Sequence, residues 1–340
     1  MEFNFIKSHG CGNDFVIVDE RKQPIVQEDY RGHLAKVLCD RNFCIGATSV
    51  LYMLPPSTNK ADVYMRIFEA DRSESSMCGN GVRCIADCYS EKTGSTIIRV
   101  ETKAGIKKVE KSTVGSQKEY SVDMGNLTAT QDEINKALSQ QAIRLDKLKI
   151  DGRLENIPFE RVSYNLSRYG TFFLYGTGEP HLVVFVNENV YNESNTHTLR
   201  EVGNTFNLKE SDLRKSGVVP FGCNVNLAQI ISQNTISIRT YERGVDNETL
   251  ACGTGASACA AAAYLSQRVK CPRIQVIVKG KGAYTDLLGD TENNNQLTIG
   301  VNNSEEGKTS LTLIGPAEMI ARGELVGSGL KGIEKFLVGK

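Results

Sequence analysis

Two cysteines stand in the same local setting. One lies in Met77-Cys78-Gly79-Asn80-Gly81-Val82-Arg83-Cys84, the other in Leu250-Ala251-Cys252-Gly253-Thr254-Gly255-Ala256-Ser257-Ala258-Cys259. Each is followed by Gly-X-Gly and then a helix-forming run, Val82 to Tyr89 in the first and Ala256 to Leu265 in the second. The glycines let the backbone turn tightly, and free N–H groups point outward where the helix begins. A helix start attracts anions and lowers a nearby thiol's pKa, so both cysteines are thiolate candidates.

Such a pair can move protons. The amides of Gly79, Asn80, Gly253 and Thr254 could hold a substrate carboxylate between the two helix starts. Loss of the adjacent α-proton sends charge into that carboxylate as an enediolate-like species, and the helix N-termini stabilise the charge where it develops. A thiolate on one face removes the proton and a thiol on the other returns one. The α-carbon is inverted without pyridoxal phosphate or metal, so no cofactor is expected.

The elements that must position the thiols are also duplicated. Met65-Arg66-Ile67-Phe68-Glu69 leads to Cys78, and Ile238-Arg239-Thr240-Tyr241-Glu242 leads to Cys252; both alternate as strands do. Further back, Gly12 to Glu20 echoes Gly178 to Glu188. Two similar halves follow, with a site expected at their interface and one thiol facing the other. Strands are expected at Phe3–Lys7, Phe15–Asp19, Ala47–Leu54, Asp62–Ala70, Thr96–Thr102, Ile106–Val109, Tyr120–Met124, Phe172–Tyr175, Leu182–Val186, Ala228–Ile231, Thr235–Glu242, Ile274–Lys279 and Gln296–Val301. His9 to Asn13 reads as a Gly-rich loop and Asp290 to Asn295 as a turn. Besides the two thiol helices, Glu28–Asp40, Gln131–Gln141 and Asn195–Phe206 have a helical beat, and Asn156–Asn165 is ambiguous. Many strands with few helices give an α/β fold of the α+β type, mixed sheets wrapped round a helix in each half, not alternating βαβ.

Composition narrows the classes. The chain has 340 residues, enough for one large or two ordinary domains. Lys+Arg and Asp+Glu are equal at 40 each, so no charge excess argues for nucleic acid or a membrane surface. No apolar run approaches the roughly 20 residues of a membrane span. Ten cysteines in a long chain without a signal peptide read as reduced thiols in the cytoplasm.

Competing motifs weigh less. Gly253-X-Gly255-X-X-Ala258 matches a relaxed dinucleotide fingerprint, but no acidic residue ends a strand about 20 residues on. Cys39/Cys44, Cys78/Cys84, Cys84/Cys88 and Cys252/Cys259 lack the tight pairing of structural zinc, so no metal is expected. Cys84, Cys88 and Cys259 read as small core residues, as do Cys11, Cys39, Cys44, Cys223 and Cys271. A redox pair of Cys78 with Cys252 is a serious competitor, and the sequence offers no flavin site or resolving motif for it. His181, in Gly178-Glu179-Pro180-His181 before a buried strand, divides evenly between a structural and a functional reading.

The chain resembles diaminopimelate epimerases through most of its length. The resemblance rests on His9-Gly10-Cys11-Gly12-Asn13-Asp14-Phe15, the two Cys-Gly-X-Gly segments, Gly178-Glu179-Pro180-His181, Asn224-Val225-Asn226, and Tyr241-Glu242-Arg243-Gly244. It implies a cofactor-independent enzyme with Cys78 and Cys252 as the acid/base pair, acting on a small-molecule amino-acid substrate. It further implies an N-terminal half of residues 1–125 plus 319–340, a C-terminal half of 126–318, and a homodimer as an available assembly. Asn13, Asn224, Glu242 and Arg243 match residues that meet the substrate's non-reacting end, Arg243 as a bidentate partner for a distal carboxylate. Three places depart from the pattern: Glu69-Ala70-Asp71-Arg72-Ser73 stands for Asn-Ala-Asp-Gly-Ser, Glu179 for Asn, and Gly46-Ala47-Thr48-Ser49 for Gly-Ala-Asp-Gly. Glu69 and Glu179 would add negative charge near the distal end. They favour, as the rival within the class, a racemase of a basic amino acid such as histidine, lysine or ornithine.

Overall fold

The computed structural model describes residues 3–115, 117–127, 171–176, 180–186, 199–200, 203–204, 207, 222–243, 247–249, 251–278, 296–303 and 308–338. The expected helix at 131–141, most of that at 195–206, the ambiguous segment 156–165, the turn at 290–295 and residue Glu179 lie outside the described residues. Contacts divide the chain into two units, Met1–Asp123 with Leu313–Lys340, and Met124–Thr312. Among the described residues no helix is long and apolar enough to cross a membrane.

In the first unit β1 (Phe3–Gly10) and β2 (Asn13–Asp19) form a hairpin. Its connection is only two residues long, Cys11 at φ 52° and Gly12 at φ 79°, because Gly10 pairs directly with Asn13. The glycine-rich loop expected at His9–Asn13 is thus a tight turn with both central residues left-handed. β2 lies parallel to β3 (Ser49–Leu54), β3 antiparallel to β4 (Val63–Glu69), β4 parallel to β6 (Ile97–Thr102), and β6 antiparallel to β7 (Gly105–Val114). A short β5 (Glu74–Ser75) turns back on β4, and β8 (Gln117–Asn126) continues from β7. Near the C-terminus β16 (Thr309–Pro316) is followed by β17 (Glu318–Leu325), which returns to pair antiparallel with β1. Helix α1 (Arg31–Leu38) packs outside this sheet with Phe336 and Leu337 in one apolar cluster, and helix α2 (Gly79–Thr93) runs inside it, against β1, β2, β3, β4, β6, β7 and β17.

The second unit repeats that pairing sequence. β9 (Thr171–Gly176) is antiparallel to β10 (Pro180–Phe185), β10 parallel to β11 (Asn224–Ile230), β11 antiparallel to β12 (Thr235–Glu242), β12 parallel to β14 (Arg273–Val278), and β14 antiparallel to β15 (Gln296–Asn303). A short β13 (Asn247–Thr249) turns back on β12 as β5 does on β4. Helix α3 (Gly253–Leu265) runs against β9, β10, β11, β12, β14 and β15. Gly12–Glu20 and Gly178–Glu188 supply β2 and β10, the same member of each set. β2 and β10 carry near-continuous apolar runs because a strand with a parallel neighbour and a helix above it is covered on both faces. Residues Ala256 and Ala258–Ala263 of α3 are buried all round, which is why this helix shows no polar stripe.

Candidate active site

Both cysteines are N-caps. Cys78 has extended backbone at φ −142° and ψ 119°, and its Sγ accepts the Gly81 N–H at 3.5 Å. Cys252 repeats this at φ −116° and ψ 108°, with Sγ accepting the Gly255 N–H at 3.3 Å. A side-chain acceptor at this position satisfies one of a helix's orphan donors, and here sulfur takes the place of the usual oxygen. The helices begin at Gly79 and Gly253, earlier than Val82 and Ala256, so both Gly-X-Gly segments form first turns. The second glycine is needed for closeness: a Cβ on Gly255 would lie 2.5 Å from Asn226 Oδ1 and 3.3 Å from Cys252 Sγ.

In the second unit Cys252, Thr254, His181, Asn224 and Arg243 join, with Asn226, in one network of hydrogen bonds. Cys252 Sγ lies 3.3 Å from Thr254 Oγ1, and Thr254 Oγ1 lies 3.0 Å from His181 Nε2. Asn226 Nδ2 reaches His181 Nδ1 at 3.2 Å and the Leu182 carbonyl at 3.1 Å, while its Oδ1 accepts from Thr240 at 2.9 Å. The Leu182 carbonyl only accepts, so the Asn226 nitrogen is the donor and His181 Nδ1 is the acceptor. His181 Nε2 then carries the proton and gives it to Thr254, whose own hydrogen is left for the Cys252 sulfur. Asn224 Nδ2 approaches the same ring nitrogen at a longer 3.4 Å, and Asn224 Oδ1 accepts the Arg243 N–H at 2.9 Å. Arg243 also donates to the Gly222 carbonyl at 3.4 Å.

His181 is completely buried, and burial pushes its pKa from 6.5 down to about 3, with the Arg243 charge acting in the same direction. The imidazole is neutral at working pH. An unfolded chain takes up a proton near pH 6.5 that the folded one refuses until about 3, so stability falls with acidity across that window. Unfolding free energies from pH 7.5 to 4 should show this as a slope of at most about 1.4 kcal/mol per pH unit, absent in His181→Asn.

Each cysteine also hangs from the same braced ribbon. Arg66 Nε donates to Glu74 at 2.6 Å and Arg239 Nε to Glu248 at 2.7 Å. Ser75 Oγ donates to Glu69 at 2.7 Å, and Thr249 Oγ1 donates to Glu242. The arginine stands three residues before its strand-end glutamate, and the paired glutamate and hydroxyl stand four and three residues before the cysteine. The Arg-X-X-Glu half of this repeat lies in the duplicated strands read from the sequence, whereas the recurrence of Glu-Ser/Thr-X-X before each Cys-Gly-X-Gly is readable there and was missed. Asn226 and Arg83 were missed as well, although both fall inside quoted motifs.

Two of the departures meet. Glu69 pairs in register with Ser49 across β4 and β3, and Ser49 Oγ donates to Glu69 Oε2 at 2.5 Å while Ser75 holds Oε1. Arg66, three residues earlier on the same strand, is taken by Glu74 and Glu28. Thr48 and Asn13 border the same hairpin. Thr48 donates through Oγ1 to Asp14 at 2.8 Å, and Asn13 is buried with Oδ1 unpaired. Burial would raise the Asp14 pKa, but hydrogen bonds from Arg41 and Lys7 outweigh it and hold the carboxyl at about 2. All ten cysteines are free thiols. Burial pushes Cys39, Cys84 and Cys223 up to about 12 and raises Cys88 and Cys259 further.

This arrangement has relatives. A Bacillus anthracis phenazine biosynthesis protein of the PhzF family covers 96% of the chain at a TM-score of 0.62 and 15% identity. A hydroxyproline epimerase from Agrobacterium vitis covers 95% at 0.60 and 14%. At that identity they establish the fold. Sequence relatives are nearer. The diaminopimelate epimerase of Archaeoglobus fulgidus is 34% identical over 86% of this chain and 91% of its own. That of Carboxydothermus hydrogenoformans is 32% identical over 94% and 98%. The family model for diaminopimelate epimerase matches residues 5–130 and 173–303, which include both thiol helices. The chain belongs to the diaminopimelate epimerase family.

Proposed function

We propose that this protein is an isomerase that inverts the α-carbon of an amino acid by a two-base mechanism, converting LL-diaminopimelate to the meso form in lysine biosynthesis. The observation that carries the reading is the duplicated N-cap, in which each thiol sulfur accepts a glycine N–H at 3.5 or 3.3 Å. Cys78 or Cys252 as thiolate removes the α-proton and the other thiol supplies one to the opposite face. The N–H groups of Gly79, Asn80, Gly253 and Thr254 receive the carboxylate as charge develops on it. Asn13, Asn224, Glu242 and Arg243 are assigned to the non-reacting end. Incubation in deuterated buffer tests this: solvent deuterium must appear at the α-position as the stereoisomers equilibrate. No exchange with any amino acid, alongside a Cys78–Cys252 disulfide, would instead support a redox thiol protein. A mechanism that needs one thiolate and one thiol suits a reducing compartment, so the cytoplasm is the proposed location.

A second substrate reading has a specific observation behind it. Glu69 is held by two hydroxyls, so its charge is solvated by hydrogen bonds and not cancelled by Arg66. If Glu69 and Glu242 both face substrate, a distal ammonium gains and a distal carboxylate depends on Arg243. Glu69→Asn should then raise kcat/KM for LL-diaminopimelate relative to lysine, ornithine or histidine, by about tenfold for each 1.4 kcal/mol of repulsion removed. An unchanged ratio places Glu69 outside the pocket and leaves diaminopimelate as the substrate.

A further inference from the structure

Arg83 is the largest fully buried side chain among the described residues, at 0% exposure, one turn into α2. Its guanidinium lies back along the first turn. Nε donates to the Pro316 carbonyl at 3.1 Å, and Nη2 donates to Asn80 Oδ1 at 2.8 Å and reaches Cys11 Sγ at 3.9 Å. Nη1 is buried with no partner. Among the described residues no carboxylate pairs with this cation. The nearest acid on the same helix face, Asp87, gives Oδ1 to Tyr120 at 2.6 Å and to Lys118 at 3.2 Å. The space is shaped around the arginine: a Cβ on Gly10 would lie 3.0 Å from Nη2 and 3.3 Å from the Asn80 Cβ.

A buried guanidinium without a counter-ion is strongly unfavourable, and an apolar side chain of the same volume would fold better. Hydrogen bonds to a carbonyl and an amide oxygen offset part of that penalty without neutralising the charge. The missing anion has a natural source one turn away, where Cys78 caps the helix and, on the proposed reading, a substrate carboxylate meets Asn80. The Asn80 amide is fixed by the same contact: Oδ1 accepts from Arg83, so Nδ2 is the end left to donate elsewhere.

We propose that Arg83 is a positioning residue for the Cys78 end of the reaction, fixing the Asn80 amide and supplying the buried positive charge that steadies an anion at the start of α2. This rests on Cys78 acting in proton transfer, and the test separates the two claims because thiol alkylation needs no turnover. The full-length protein and its Arg83→Met and Arg83→Lys variants would be treated with iodoacetamide from pH 5 to 10. Cys78 and Cys252 would be read separately by peptide mass spectrometry, with kcat, KM and thermal unfolding measured in parallel.

Arg83→Met should unfold at the same temperature as the parent or higher. The midpoint for Cys78 alkylation should rise by about one pH unit or more, with that of Cys252 unmoved, and kcat should fall tenfold or more. Arg83→Lys keeps the charge but loses the planar fork, so the Cys78 midpoint should stay near the parent value while KM rises. A folded Arg83→Met protein with an unshifted Cys78 midpoint overturns the proposal. Should the methionine variant not fold, a lysine variant whose Cys78 midpoint rises by a full unit overturns it equally. If Cys78→Ala remains active, the functional reading fails, whereas the alkylation profiles still decide the role of Arg83.

Discussion

Cys78→Ala and Cys252→Ala are each expected to lose turnover by at least 10²- to 10⁴-fold, the usual contribution of one positioned acid or base. The loss should be similar in both, since a two-base inversion needs a group on either face and neither can serve for the other. Cys84→Ala and Cys259→Ala are the controls. Both side chains are fully buried, and burial raises both thiol pKa values, Cys84 to about 12. They are neutral thiols at working pH, and removing them deletes one small buried atom, at a cost of about 1 kcal/mol in stability with most turnover retained. A finer measurement separates the two single mutants further. With one base gone, α-proton exchange from one stereoisomer can persist without inversion, and the stereoisomer that still exchanges should differ between them. Full epimerisation in either mutant removes the two-base mechanism.

The parts of the fold that were legible in the sequence are those written twice. The two Cys-Gly-X-Gly segments and the Gly12/Gly178 echo revealed two similar units because local signals, a glycine turn into a helix and an apolar strand, repeat without knowledge of register. Strand-to-strand partners were not legible. Ser49 meets Glu69 only because β3 and β4 pair in that register, so the coupled departures Thr48-Ser49 and Glu69 read as separate oddities until the pairing was known. The loop at His9–Asn13 was legible but its two-residue tightness was not, because a cysteine at φ 52° carries no residue-type signal for a left-handed position. Helix starts were placed late because glycine is a poor helix former, whereas a capped first turn tolerates it. The evenly divided reading of His181 moved once its nitrogens could be assigned: its link to Thr254, and through it to Cys252, is tertiary and lies outside any local motif.

The largest stability effect should come from the brace on the second ribbon. Glu248 has no exposed side-chain surface, Arg239 has 9%, and the two meet at 2.7 and 2.9 Å in a two-point contact. Glu248→Gln leaves the guanidinium buried beside a neutral amide, and removal of one partner from such a pair costs about 3–5 kcal/mol. The equivalent Glu74 is 14% exposed and shares its charge with Lys103 as well as Arg66, so Glu74→Gln should cost roughly 1 kcal/mol. The first brace should also weaken with added salt and the second should not, because a sealed pair is little screened. Chemical unfolding of both variants at low and high salt measures these differences. Equal losses would mean that the duplicated sequence conceals no difference in burial. The double variant Arg239→Met with Glu248→Met answers what the brace is for. An apolar pair of similar volume should recover most of the stability, since the charges were costly to bury in the first place. If the recovered protein also turns over normally, the pair only fills space. A stable double variant with an unchanged KM and a kcat lowered tenfold or more would show that the ribbon, three residues upstream of Cys252, sets where the thiol sits.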